Sequence, residues 1–241
     1  MGKRNRSGYS RGMTPILSTL SLDLADGIAL SVLILTWVLT GWLVEHPPKS
    51  RPSVTVLMAQ YRRDWLRQFV TRSPRIFDAN IIDSLRQSTA FFASASMIAI
   101  GGGVALIGNV STLEGLAHDL TLEAAGVRVE LKIILVLLFL ANALLKFVWS
   151  HRLFGYCAIL MAAVPNDVSD PLAYPRAAQA AAINITAAKS FNRGLQAIYF
   201  ALASITWLLG PWALLAATVI TCIVLLRREF ASASRQVMLA R

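Results

Sequence analysis

Residues 197–226 read AIYFALASITWLLGPWALLAATVITCIVLL. These 30 residues carry no charge. As one α-helix they would extend about 45 Å, longer than a hydrocarbon core of about 30 Å. Gly210-Pro211 lies near the middle, close to Trp207 and Trp212. The stretch is therefore either one kinked, tilted helix or two short spans joined by a tight turn. In the second case the two tryptophans mark the membrane–water boundary. The choice decides whether the chain crosses a membrane four times or five, and on which side it ends.

The rest of the chain supports a membrane reading. Of 241 residues, 56% are hydrophobic and 15% charged, against roughly 45–50% and about 25% in ordinary soluble domains. That excludes a typical soluble enzyme and a largely disordered chain. With 14 Gly, 9 Pro and 2 Cys, collagen-like and disulfide-stapled classes are excluded too. Three further apolar runs, at about 29–44, 88–109 and 131–150, are read as spans, the third with about twenty apolar residues, enough for one crossing. No small-residue cleavage site follows the first, so it is an anchor and not a signal peptide. The expected fold is an all-α polytopic helical bundle, with an N-terminal arm (1–24) expected to be disordered, one membrane domain (25–230) and a tail (231–241). The last two spans are placed at about 195–209 and 212–226.

Basic residues arbitrate the span count. The N-terminal arm holds four Lys or Arg, the first loop eight, residues 110–132 two, residues 146–193 five and the tail four. Four spans put 13 on one side and 10 on the other, which is no bias; five spans put 17 against 6. Basic residues gather on the cytoplasmic side, so five spans are expected, N-terminus out and C-terminus in. The acidic segment with Glu114, Asp119, Glu123 and Glu130 then lies outside. The basic run Lys3 to Arg6 opposes that orientation, and a start at Met13 would remove it; the mass of the native N-terminal peptide checks this. The net charge of +10 is read as contact with anionic lipids, not nucleic acid.

The first loop carries a second pattern. Val54, Leu57, Met58, Tyr61, Trp65 and Phe69 recur at helical spacing, with Arg62, Arg63, Arg67 and Arg72 supplying a basic side. Residues 54–72 are thus a basic amphipathic helix, lying on the bilayer surface or packed on the ends of the spans. Ser73-Pro74 breaks it. A new helix starts near Asp78, whose carboxylate suits a helix N-terminus and has Arg75 or Arg86 as partner. Ala95, Ala99 and Gly103 make a small-residue face in the second span. Residues 153–188 form a cytoplasmic hairpin, the small-residue run 177–188 folding back on 153–164.

The run 61–108, YRRDWLRQFVTRSPRIFDANIIDSLRQSTAFFASASMIAIGGGVALIG, resembles the opening half of the DUF599 family of bacterial membrane proteins. The matching residues are Arg63, Trp65, Arg75, Asp78, Phe91, Phe92, Ala93, Ser94 and Gly101 to Gly103. FNRGLQAIYFALASITWLLGPW at 191–212 and the terminal Arg227-Arg228-Glu229-Phe230 are similar too. The resemblance runs from about Ala25 to Phe230; the long basic arm before Leu22 departs from it. It implies a bacterial inner-membrane protein and no particular reaction, since the family's function is unknown.

Polar residues near the cytoplasmic interface are the candidate site. Arg63, Arg75, Asp78, Arg86, Asn192 and Arg193 are expected to line one polar pocket or lipid-headgroup contact. No catalytic, metal or cofactor residues are assigned. His46, His118 and His151 lie in separate segments, and no GxSxG, HExxH, P-loop or CxxC occurs. The leading expectation is a non-catalytic accessory, assembly or lipid-contacting scaffold protein. The alternatives are a carrier of a small solute or lipid, and a lipid-headgroup enzyme. Expected partners are the bilayer with its anionic lipids and a second copy or another membrane protein.

Overall fold

The structure is a computed structural model that describes residues 23–109 and 129–240. Residues 1–22 of the expected disordered arm and the acidic residues Glu114, Asp119 and Glu123 lie outside the described residues, whereas Asp23 and Leu24 already cap and begin the first helix. Within them the chain forms α1 (Leu24–Glu45), α2 (Val54–Phe69), α3 (Ile76–Ile107), α4 (Val129–Ala162), α5 (Ala173–Ile205), α6 (Pro211–Phe230) and α7 (Ala233–Leu239). A 3-10 turn, Thr206–Leu209, precedes α6. Three helices, α1, α3 and α4, are long and apolar enough to cross a membrane.

The axis of the fold is the α4–α5 pair. Buried residues on α4 include Ala143, Phe147, Ser150, Phe154, Cys157 and Met161. Those on α5 include Ala173, Ala177, Ala180, Asn184, Ala187, Ser190, Gly194, Ala197 and Ala201. Both series step by about 3.5 residues, the period of helices that wind round each other. Bulky side chains on α4 face small ones on α5, so the axes approach closely. Interhelical hydrogen bonds cross the seam: Ser150 Oγ donates to the Ala187 carbonyl at 2.8 Å and Ser190 Oγ to that of Lys146 at 3.2 Å. With 34 and 33 residues, each helix is about 50 Å long. The segments separated above into hairpin and spans are therefore parts of two unbroken helices.

The chain reverses at Gly210. Asn192 Nδ2 reaches Thr55 Oγ1 at 3.4 Å, and the Glu229 carboxylate accepts from Thr55 N at 3.0 Å. Residues 192 and 229 could not meet one threonine if 197–226 were a single helix. The turn uses Gly210 at φ 115° and ψ 171°, a region open essentially to glycine. Pro211 then starts α6, where its missing N–H costs nothing. The two tryptophans differ. Trp212 is 75% exposed, whereas Trp207 is buried and its indole donates to Asp26 Oδ1 at 2.7 Å. That bond fastens the turn to the first turn of α1, along which α6 packs.

The small-residue face of α3 is corrected. Ala95 and Ala99 are exposed, and α3 meets α4 through Phe92, Ser96 and Gly103. The face rotates because Phe92 stacks on Phe147, with ring centroids 5.4 Å apart.

One tight contact gives a contrast between two glycines. A Cβ at Gly194 would lie 2.6 Å from Phe147 Cε1 and 2.9 Å from two further ring atoms. That ring is fully buried and held between Phe92 and Phe191. Gly194→Ala should cost about 1–3 kcal/mol through overpacking. A Cβ at Gly103 meets the mobile end of Leu137 at 2.5 Å, so Gly103→Ala should cost clearly less. Unfolding of both variants by detergent titration checks the order, and equal losses would refute it.

Candidate functional site

Polar side chains concentrate at the end of the bundle where α1 and α6 finish. Ser53 makes the first joint. Its hydroxyl donates to the Val44 carbonyl at 2.7 Å and caps α2 by accepting from Val56 N at 3.2 Å. Glu229 makes the second, accepting from Thr55 N at 3.0 Å and from Thr55 Oγ1 at 3.2 Å. Arg193 makes the third, a bidentate pair with Glu45 at 2.5 and 2.6 Å. These joints bring the start of α2, the middle of α5 and the ends of α1 and α6 to one level.

The corner between α2 and α3 is built round Asp78. Its carboxylate is fully buried in the first turn of α3. Asp78 Oδ1 accepts from Trp65 Nε1 at 2.6 Å and from Arg72 Nη1. The partner is thus Arg72, not Arg75 or Arg86. Arg75 instead turns toward the end of α4. It donates to the carbonyls of Val164 at 2.8 Å and Pro165 at 2.9 Å, and its guanidinium lies 4.5 Å from the centre of the Phe69 ring. Carbonyls beyond a helix C-terminus attract such a cation.

A cavity of about 290 Å³ opens beside the joints. Arg62, Lys189 and Arg228 supply cations to its wall, and Glu229, Thr55, Asn192 and Ser88 are its other polar residues; Met58, Phe154 and Phe191 are apolar lining. Arg62 does not join the basic outer side of α2. Arg62 Nη1 donates to Asn184 Oδ1, and Asn184 Nδ2 donates to Cys157 Sγ at 3.5 Å. Burial pulls the Arg62 guanidinium below its ordinary value, partly offset by the neighbouring Cys157. It stays a cation, because guanidinium does not deprotonate in proteins.

The six residues expected in one pocket are distributed over five places. Arg75 and Arg86 share a groove of about 340 Å³ with Asp83 and Asn166, and Arg86 Nε is buried there without a partner. Asp78 is sealed beneath the corner. Asn192 lines the cavity, Arg193 pairs with α1, and Arg63 lies exposed on a groove between α2 and α5 beside Arg67 and Tyr174. The reason is the apolar cluster of Leu66, Phe69, Val70, Ile82, Cys157 and Met161. It fills the space where the six would have converged. Lys189, Arg62 and Arg228 escaped the sequence reading as site residues. The signal available for Arg228 was the Arg227-Arg228-Glu229-Phe230 motif; for Arg62 and Lys189 only helix pairing reveals it.

Three membrane-length apolar helices and a basic, jointed end define a helical membrane protein. The model of the family described as "Protein of unknown function, DUF599" matches residues 28–234. The chain belongs to that family. No curated protein and no solved structure matches it.

Proposed function

We propose that this chain is a five-span protein of the bacterial cytoplasmic membrane that acts without catalysis, as a scaffold or accessory protein contacting anionic lipid through its basic end. The observation that carries the reading is the distribution of exposed apolar side chains. They include Leu35 and Leu39 on α1, Ile98 and Val104 on α3, Leu138 and Leu145 on α4, Leu202 and Ile205 on α5, and Ile220 and Ile223 on α6. Soluble domains rarely leave such a surface open. All five helices carry it within charge-free or nearly charge-free runs, so α5 and α6 join the other three apolar helices in the bilayer. Basic residues cluster at the end holding Glu45, α2 and Glu229, which the positive-inside bias makes cytoplasmic. α2 lies at that membrane face, with Leu66 and Phe69 packed on the bundle.

The non-catalytic part of the reading is supported by the carboxylates. Asp26, Glu45, Asp78 and Glu229 each hold two elements together, so their chemistry is structural. A reporter fused after Arg241 tests the topology. A cytoplasmic signal is expected, and a periplasmic one would overturn the five-span reading. Native mass spectrometry of the extracted protein tests the role. Co-purifying anionic lipid or a protein at fixed stoichiometry is expected; turnover of a retained small molecule would replace the scaffold with an enzyme.

A further inference from the structure

We infer that the cavity enclosed by α2, α3, α4, α5 and α6 binds a phosphate-bearing anion, with Lys189, Arg62 and Arg228 as its cationic wall. The inference rests on reading this end of the bundle as the cytoplasmic membrane face. Three cations line the cavity against one carboxylate, and Glu229 is already engaged by both donors of Thr55. Among the described residues two ion pairs form, Arg72–Asp78 and Arg193–Glu45. Lys189, half-buried in the wall, therefore has no counter-ion among the described residues. Arg62 and Arg228 each make one side-chain contact, to Asn184 and to the Tyr199 hydroxyl. A guanidinium has five N–H donors, so both retain donors for an incoming anion. Apolar walls around these charges weaken screening and strengthen attraction for an anion.

The depth of the cavity selects the kind of anion. The last charge on α3 before its apolar run is Arg86, and Ser88 lines the cavity. The charge-free run from Gly194 to Leu226 begins just after Lys189 and Arg193 and ends just before Arg227 and Arg228. The cavity thus sits where a polar headgroup meets the hydrocarbon edge. Its volume of about 290 Å³ is at the lower limit of small-molecule pockets, about 300–1,000 Å³. That suits a headgroup-sized phosphate and its first methylenes on Met58 and Phe191. The shared chemistry is a phosphate, carried by a lipid or free in solution.

Binding titrations of the full chain in detergent, with phosphatidylglycerol, phosphatidylcholine, glycerol 3-phosphate and inorganic phosphate as probes, separate these sources. Wild-type protein is expected to bind phosphatidylglycerol more tightly than phosphatidylcholine. Lys189→Gln should weaken that binding by about tenfold or more, as for loss of one charge-assisted hydrogen bond. Arg228→Gln, on a different helix, should weaken it as well, which guards against misfolding of either variant. Lys49→Gln, exposed and outside the cavity, should bind as wild type. Competition by inorganic phosphate or glycerol 3-phosphate with the same dependence on Lys189 assigns the cavity to a soluble anion. Affinities unchanged in both cavity variants, or no binding of any probe, overturn the site. The five-span reading, and with it the cytoplasmic assignment of this end, fails separately, on a periplasmic reporter after Arg241.

Discussion

Asp78→Ala is expected to destabilise the folded chain by about 3 kcal/mol, the cost of losing hydrogen bonds to a buried charged acceptor. Asp78 is the fully buried carboxylate that receives both the Trp65 indole and the Arg72 guanidinium. Alanine leaves the indole N–H without an acceptor and Arg72 without its counter-charge. α2 is then held to α3 by apolar contacts and by Arg75, which reaches the Val70 carbonyl and the Phe69 ring. Asp78→Asn keeps an acceptor for Trp65 and should fall between wild type and alanine. Detergent-induced unfolding followed by tryptophan fluorescence measures both. Trp65 should also become more accessible to a quencher in Asp78→Ala under native conditions. An alanine variant as stable as wild type would show that the corner is held by Leu66, Phe69 and Ile82 without the polar pair.

The second large effect is expected at Asn184. This residue is fully buried on α5 and holds Arg62 through Oδ1 and Cys157 through Nδ2. Asn184→Ala strands a partly desolvated guanidinium, and an unmade hydrogen bond to a charged group costs about 3 kcal/mol. Asn184→Asp should be better tolerated, because it gives Arg62 an anion. A double variant with Arg62→Met should recover part of the loss, since removing both polar partners is milder than removing one. Equal stability of Asn184→Ala and the double variant would show that Arg62 finds water instead.

The two large effects fall on residues of very different legibility. Asp78 stood out as a lone carboxylate at the start of a helix, where the dipole favours it. Its partner did not stand out, because Arg72, Arg75 and Arg86 all lie within eight residues of it. Only the loop between α2 and α3 decides that Arg72 turns inward while Arg75 reaches α4. Asn184 was hidden inside the alanine-rich run AAQAAAINITAA, where polarity reads as an ordinary helix surface. Arg62 was grouped with its basic neighbours, since its inward direction depends on where α5 lies.

By itself, the sequence determined the all-helical membrane class, the family, the turn option at Gly210-Pro211 and the fold-back of the small-residue segment. Each is local: length of an apolar run, a glycine before a proline, the size of side chains along one stretch. The tertiary structure decided that 197–226 is two helices, because Asn192 and Glu229 meet the same Thr55. It also decided that α3 uses Phe92, Ser96 and Gly103 and leaves Ala95 and Ala99 open, and that six expected site residues separate while Arg62, Lys189 and Arg228 gather. Those outcomes depend on which face each helix turns toward its neighbours. Helical periodicity restricts that choice to a stripe, and only packing of bulky against small side chains across the α4–α5 seam selects one.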